Sequence, residues 1–207
     1  MRGAAAALVA VAAALAVGCS SSGSDGVPVG ADAVDARRLE TGTAPRTGAP
    51  VPERPADVRL PSGVVVRVRA VATRPDGHLD VPDDVEVAGW WRGGARLGDP
   101  FGSTLLAGHV DSTTQGLGPY VELLGVRAGQ RVRLRSAHLR QAFVVRSLRL
   151  VPANALPEHR SVYSARGPRR LTMVTCAPPY VPERGGYQNL AVVTAVPVTP
   201  VLARRRS

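Results

Sequence analysis

Short aliphatic runs, separated by glycine, proline and aspartate, fill residues 57–200 and most restrict what this chain can fold into. Runs of four to eight such residues favour strands over helices. The 22 Gly and 18 Pro of the 207 residues also suit many short elements and turns. Strands are predicted at 64–71, 103–109, 131–135, 142–151, 171–175 and 190–198, with a short or edge strand within 79–87.

Six to eight strands at this spacing predict a mainly β fold, either a closed barrel or a sandwich. Only 120–124 and 152–156 are expected to be helical, and both segments are short. The folded domain is predicted to span 56–200. A domain of about 145 residues buries close to 70% of its unfolded surface, which is enough for independent stability.

The N-terminus predicts export. Arg2 precedes an uninterrupted apolar run of 14 residues, 4–17. That run is too short to cross about 30 Å of hydrocarbon comfortably, and it is typical of the core of a signal peptide, assigned here to 1–18. Residues 19–55 are rich in Gly, Pro, Ser, Thr and Ala and are predicted to be a disordered tether. A basic tail is predicted at 201–207.

Two processing sites compete at the end of the apolar run. Ala16-Val17-Gly18-Cys19 and the following Ser/Gly stretch resemble a bacterial lipobox, in which the cysteine is lipidated. The expected location is then the outer face of the cytoplasmic membrane, within the cell envelope. Ala14-Leu15-Ala16 also fits an ordinary A-x-A cleavage site, which would release a secreted protein.

The charge excludes several kinds of chemistry. All 26 basic residues are arginine, so a Schiff-base lysine, a P-loop lysine, a Ser-Lys dyad and a lysine isopeptide crosslink are impossible. The net charge of +10 does not indicate a nucleic-acid partner. An exported protein meets little nucleic acid, and aromatic residues for base stacking make up only 4% of the chain.

A cysteine and a histidine each follow a predicted strand. Cys176 ends the run 171–175, where the chain is expected to leave for a proline-rich loop, and a rigid strand end suits a nucleophile. His109 ends the segment 102–108 in the same way. A buried structural cysteine and an unreactive histidine are the alternatives. The remaining histidines lie in polar or turn contexts and are predicted to be uninvolved: His78, His138 and His159.

No metal site or other cofactor is predicted. No two histidines stand at metal-ligand spacing. His109 and Asp111 could offer two ligands from one strand, but no third donor is evident.

The motifs around these two residues resemble those of sortases. The segment G-S-T-L-L-A-G-H-V-D, ending at Asp111, is similar to the sortase histidine segment. L-T-M-V-T-C, ending at Cys176, is similar to the cysteine segment, whose usual form is T-L-x-T-C. G-W-W-R-G-G, starting at Gly89, resembles the lead-in of actinobacterial class F sortases. Y-V-E-L-L-G, starting at Tyr120, resembles the short helix that follows the histidine.

The order of the two residues supports this resemblance, which covers about 58–196. Histidine precedes cysteine by 67 residues, as in sortases, whereas papain-like enzymes have the opposite order. The S-x-G-C signature of L,D-transpeptidases is absent from the sequence.

The resemblance implies a closed β-barrel of about eight strands with short helices in its connections. It also implies a monomeric cysteine transpeptidase that needs no metal. Cys176 would attack an LPxTG-type sorting signal near the C-terminus of a secreted protein and form a thioacyl-enzyme. His109 would protonate the leaving amine and deprotonate an incoming amine of a peptidoglycan precursor.

The sequence departs from the family at a third position. Sortases carry an arginine in a Y-R-D-N run, and this chain has Y-Q-N at 187–189, which puts Gln188 in that place. Arg184 is the nearest basic substitute for contact with the reacting oxygen. The departure leaves two alternatives open: a catalytically degenerate barrel that binds the cell envelope, and a thiol hydrolase.

Overall fold

The computed structural model describes residues 48–204. The predicted signal peptide, Cys19 and the last three residues of the basic tail lie outside the described residues. Within that range the regular structure is mainly β, in eleven strands. The strands are β1 (Asp57–Arg59), β2 (Val65–Val71), β3 (Val87–Trp91), β4 (Ser103–Ala107), β5 (Asp111–Ser112), β6 (Gly116–Leu117), β7 (Arg131–Arg135), β8 (Leu139–Pro152), β9 (Arg170–Val181), β10 (Gly186–Pro197) and β11 (Leu202–Ala203).

Eight of these strands form a closed mixed barrel. They are hydrogen-bonded in the order β10-β9-β4-β3-β2-β1-β7-β8, and pairing of β8 with β10 closes the ring. The β2–β3 and β4–β9 pairs are parallel, and the other pairs in the ring are antiparallel. The predicted β-barrel is therefore confirmed, and the sandwich alternative is excluded.

Part of the barrel wall alternates between buried apolar and exposed polar residues, whereas β3 and β4 are buried on both faces. In β7, R-V-R-L-R, Val132 and Leu134 are fully buried while Arg131 and Arg133 face outward. A strand places successive side chains on opposite faces, so this pattern gives one solvent-exposed face and one buried apolar face. The interior is filled by aliphatic and aromatic side chains, among them Leu106, Tyr120, Phe143, Leu171, Met173 and Val193.

Short 3₁₀ helices connect the strands. They span Pro119–Gly125, Ala153–Glu158, Arg160–Val162 and Pro182–Arg184. The first two cover the segments predicted to be helical, and both contain proline, which suits a single helical turn better than a long helix. Among residues 48–204, no helix is long and apolar enough to span a membrane.

The sequence predicts that the strand ends at Cys176, but β9 continues beyond this residue. It extends to Val181, and its pairing with β10 is interrupted at Pro178 and Pro179, between Ala177↔Asn189 and Tyr180↔Tyr187. β4, its neighbour on the other side, ends at Ala107. Beyond that point β9 is an edge strand, where proline is tolerated because no second ladder needs its missing N–H group.

Ordered structure extends past both predicted domain limits. Glu53 pairs with Leu97, and its carboxylate accepts hydrogen bonds from the Ser136 hydroxyl at 2.6 Å and the His138 N–H at 2.9 Å. At the other end, β11 pairs with β8, and the Arg204 side chain donates to Ser136 O at 2.8 Å. The predicted tether and tail therefore each contribute residues to the fold, because these polar contacts hold them against the barrel.

Candidate active site

His109 and Cys176 follow neighbouring parallel strands at the same offset. β4 pairs with β9 from Ser103↔Arg170 to Ala107↔Val174, so each β9 residue lies 67 positions after its β4 partner. The same 67 positions separate His109 from Cys176. His109 and Cys176 therefore each lie two residues beyond the last pair, Ala107↔Val174, at the carboxyl end of this strand pair.

A buried tyrosine fixes the backbone that leads to the histidine. The Gly108 N–H donates to Val174 O at 3.1 Å, which extends the contact between the two strands beyond the end of β4. A Cβ added at Gly108 would lie 2.9 Å from ring atoms of Tyr120, whose side chain is fully buried. Only glycine permits this approach, which seats the residue preceding His109 directly on the core.

The chain then folds back beside the histidine as a small hairpin of β5 and β6. The Gly118 N–H donates to Val110 O at 3.0 Å and closes the loop. The Gln115 side chain donates to Asp83 O at 3.1 Å and accepts from the Val85 N–H at 3.2 Å. The hairpin is thereby tied to the connection between β2 and β3.

The Cys176 thiol is half-buried and free, and its residue pairs with Leu190 of β10. Burial raises its pKa above the ordinary value, and the negative charge of Asp111 raises it further. Both effects disfavour the thiolate. The thiol therefore rests in its neutral form at pH 7, and its proton must be removed before it can act as a nucleophile.

Asp111 and Tyr187 form a polar contact beside the thiol. The Tyr187 hydroxyl donates to Asp111 Oδ2 at 2.7 Å. This hydrogen bond is the largest cause that raises the Tyr187 pKa to about 12, followed by burial. Tyr187 therefore stays protonated at physiological pH and links β10 to the chain just after His109.

From the sequence, Asp111 is expected only as a possible metal ligand, and Tyr187 has no expected role. Two signals could have indicated them. Asp111 lies two residues after His109, and Tyr187 immediately precedes the position of the family's arginine. Their contact joins residues 76 positions apart, and no local pattern encodes it.

Arg184 lies in the turn between β9 and β10, and Gln188 lies two residues after the start of β10. The Gln188 side-chain amide donates to Gly186 O at 2.6 Å and reaches Arg184 O at 3.5 Å, so it is bonded within its own turn. The Arg184 side chain is exposed at the end of the helix Pro182–Arg184. Among the described residues, no arginine contributes to the pKa shift of Cys176.

An apolar cluster leads along the outer face of the sheet to the thiol. Its buried members come from β4, β8, β9, β10 and the helix Arg160–Val162, and they are Leu105, Val151, Val162, Val174 and Val192. Leu190, the partner of Cys176, packs against them and is half-buried. Trp91 and Tyr163 meet edge to face beside the cluster, with ring centroids 6.2 Å apart. This cluster, called here the apolar floor, reaches the pair formed by Cys176 and Leu190.

Within residues 48–204, no group of three or more His, Cys, Asp or Glu side chains could hold a metal ion. The groups shown near the thiol are instead a carboxylate and a phenol, Asp111 and Tyr187, and His109 lies two residues before that carboxylate. A thiol and a histidine at the same end of a strand pair suit nucleophilic catalysis followed by proton transfer.

Comparison with known proteins agrees with this barrel. The Sortase domain family model matches residues 62–198, which is more than half of the chain. The chain therefore belongs to the sortase family and is an enzyme of the cysteine transpeptidase type. No curated protein matches the chain.

Several solved sortases share the fold at low sequence identity. SrtA sortase from Actinomyces oris is 21% identical with a TM-score of 0.57, over 78% of this chain and 93% of that one. Sortase E1 from Streptomyces coelicolor, solved with a tripeptide in the active site, is 17% identical with a TM-score of 0.55, over 73% and 91%. Sortase A from Listeria monocytogenes is 15% identical with a TM-score of 0.54, over 75% and 93%.

Proposed function

We propose that this enzyme cleaves an LPxTG-type sorting signal in secreted proteins and transfers the cleaved protein to an amine of a peptidoglycan precursor. The observation that supports the proposal is the β4–β9 register, in which His109 and Cys176 each follow the last strand pair by two residues. The tripeptide in the active site of sortase E1 from Streptomyces coelicolor adds support, because it shows a peptide in the site of a protein with the same fold.

In the first half-reaction, His109 takes the proton of the Cys176 thiol, and the resulting thiolate attacks a backbone carbonyl carbon of the sorting signal. The tetrahedral intermediate collapses with cleavage of the C–N bond, and protonated His109 donates a proton to the departing amine. A thioester between Cys176 and the substrate remains. The apolar floor seats the aliphatic side chains of the signal, so that the scissile carbonyl meets the thiol.

In the second half-reaction, the incoming amine attacks the thioester carbonyl. Neutral His109 takes a proton from that amine, and the Cys176 thiolate leaves as the new amide forms. The imidazole thereby returns to its protonated state. When no amine is present, water can take its place, and the same cycle then hydrolyses the signal.

Negative charge on the carbonyl oxygen needs a donor in both half-reactions. We assign this role to Gln188, the residue at the position of the family's arginine, with Arg184 as the alternative. Gln188 must exchange its bond to Gly186 O for the substrate oxygen. A neutral amide stabilises an anion less than a charged group does, so turnover is expected to be slow for a sortase.

The class and the cellular location complete the proposal. The lead-in G-W-W-R-G-G at 89–94 favours class F. The N-terminal apolar run favours export, with lipidation at Cys19 and ordinary signal cleavage as competing outcomes. Membrane fractionation of cells producing the wild type and Cys19→Ala would separate these outcomes. If Cys19 is lipidated, the substitution shifts the protein out of the membrane fraction. If ordinary signal cleavage occurs, the substitution changes nothing.

Peptide transfer tests the activity directly. The protein would be incubated with an LPxTG peptide and a small primary amine, and the products would be identified by mass spectrometry. We expect a new amide between the N-terminal fragment and the amine, lost in both Cys176→Ala and Cys176→Ser. A serine hydroxyl ionises far less readily than a thiol beside the same histidine. Cleavage that persists in Cys176→Ala would refute the proposal.

A further inference from the structure

Arginine is unevenly distributed around the barrel. β1, β2, β7 and β8 together carry nine arginines. β3, β4, β9 and β10 together carry one, Arg170. A bias in overall composition would not separate the two halves in this way, so the clustering is a property of the folded protein.

Six of these arginines form one exposed surface, called here the arginine face: Arg59, Arg67, Arg69, Arg131, Arg133 and Arg140. The strand register sets like charges directly opposite each other, Arg59 against Arg133 and Arg135 against Arg140. Like charges in this relation destabilise a sheet. Asp57 compensates Arg135, but within residues 48–204 no carboxylate pairs with Arg59 or Arg133. An uncompensated conflict of this kind indicates a site adapted to a partner.

The carboxylates that border this face already have partners. Asp57 pairs with Arg135 at 2.6 Å, and Glu122 accepts hydrogen bonds from Ser62. Glu53 is bonded to Ser136 and His138, as described above. Within residues 48–204, none of the six arginines of the face forms an ion pair. The surface therefore presents uncompensated positive charge.

The arginine face lies opposite the active site. In the closed ring, β1 is four strands from β9 in either direction. A partner bound to the face around β1 would leave the thiol on β9 accessible. Such a partner would orient the enzyme without covering the site.

Exposed valines lie among these charges. Val65 is 41% exposed and sits directly opposite Arg59, and its neighbour Val64 is 47% exposed. The chain also enters the barrel here, because β1 is its first strand. Basic residues combined with exposed apolar side chains suit a lipid headgroup region better than a soluble polyanion.

From these observations we propose that the arginine face docks the barrel on an anionic lipid bilayer and directs the active site away from the membrane. The predicted N-terminal anchor would bring the chain to the membrane, and the face would then set the orientation of the domain. The proposal concerns orientation and does not depend on the identity of the sorting signal.

Vesicle binding by the full chain tests the proposal. Binding to vesicles of phosphatidylcholine alone is compared with binding to vesicles of equimolar phosphatidylcholine and phosphatidylglycerol. An N-terminal anchor would contribute equally to both, so the difference reports the anionic headgroup. The test variant combines Arg67→Gln, Arg131→Gln and Arg133→Gln, whose side chains make no hydrogen bond within residues 48–204. Each arginine at an anionic surface contributes about five-fold in affinity, so the triple variant should lose on the order of 100-fold. The preference for phosphatidylglycerol should weaken between about 0.1 M and about 1 M NaCl.

A matched triple variant controls for net charge. Arg74→Gln, Arg160→Gln and Arg166→Gln remove the same three charges from exposed sites off the face, and this variant should keep wild-type binding. Replacing Arg67, Arg131 and Arg133 by lysine should also keep it, which separates loss of charge from loss of fold. Equal losses in the two glutamine variants would overturn the proposal. Equal binding to both vesicle types, or equally tight binding of soluble polyphosphate, would also overturn it.

Discussion

Replacing Gly108 by alanine should disturb the candidate site without touching either reactive group. The added Cβ would stand 2.9 Å from two ring atoms of Tyr120. Carbon atoms in good contact are about 3.5–4.0 Å apart, so the ring or the backbone must move by roughly 0.6–1 Å. The ring is fully buried and cannot yield freely. We expect a loss of about 1–3 kcal/mol in the free energy of unfolding, as for other overpacked cores.

The same displacement should reduce catalysis, because the backbone that moves leads directly into His109. A misplacement of about 1 Å can cost about 100-fold in rate, so we expect kcat/KM for peptide cleavage to fall by roughly ten- to 100-fold. Gly125→Ala is the matched control, since a Cβ there meets nothing within 4 Å. Chemical denaturation and peptide cleavage would be measured on all three proteins. If Gly108→Ala matched Gly125→Ala in both, the argument from close packing would be refuted.

Three further predictions concern charged and polar groups. Asp111→Asn removes a negative charge that raises the Cys176 pKa, so that pKa should fall and alkylation by iodoacetamide at pH 7 should quicken; an unchanged pH profile of alkylation would contradict this. Hydrogen bonds, the largest from Ser136, lower the Glu53 pKa from 4.5 to about 2. The difference in free energy of unfolding between wild type and Glu53→Gln, measured by urea unfolding at several pH values, should therefore be fully present above about pH 4.5 and disappear as the pH falls towards 2. A difference that does not change with pH would contradict this prediction. Gln188→Arg should raise kcat and Gln188→Ala should lower it, and equal rates in both would remove Gln188 from the reaction.

Elements with a regular local pattern could be predicted from the sequence. The strand Arg131–Arg135 agrees residue for residue with its prediction, because each apolar residue in it is flanked by arginines. The continuation of β9 through Pro178 and Pro179 could not be predicted in the same way. It depends on where β4 ends, and that is decided by residues far away in the sequence.

The site shows the same division between local and distant information. His109 and Cys176 stand out because each closes a recognisable motif, and the register of β4 and β9 follows from the same spacing. The Asp111–Tyr187 hydrogen bond depends on an irregularity in the β9–β10 pairing between Tyr187 and Asn189. A local sequence pattern does not predict such a register shift, so this contact could be identified only from the folded structure.

The central claim is that Cys176 forms a covalent acyl-enzyme with help from His109. Intact-mass spectrometry after rapid mixing with an LPxTG peptide, without added amine, tests it most directly. We predict that the wild type gains the mass of the N-terminal peptide fragment and that peptide mapping locates the added mass at Cys176. The Cys176→Ala variant should gain no mass. His109→Ala should accumulate the adduct far more slowly. An adduct on another residue, or cleavage by the wild type that proceeds at the same rate in Cys176→Ala, would contradict the account.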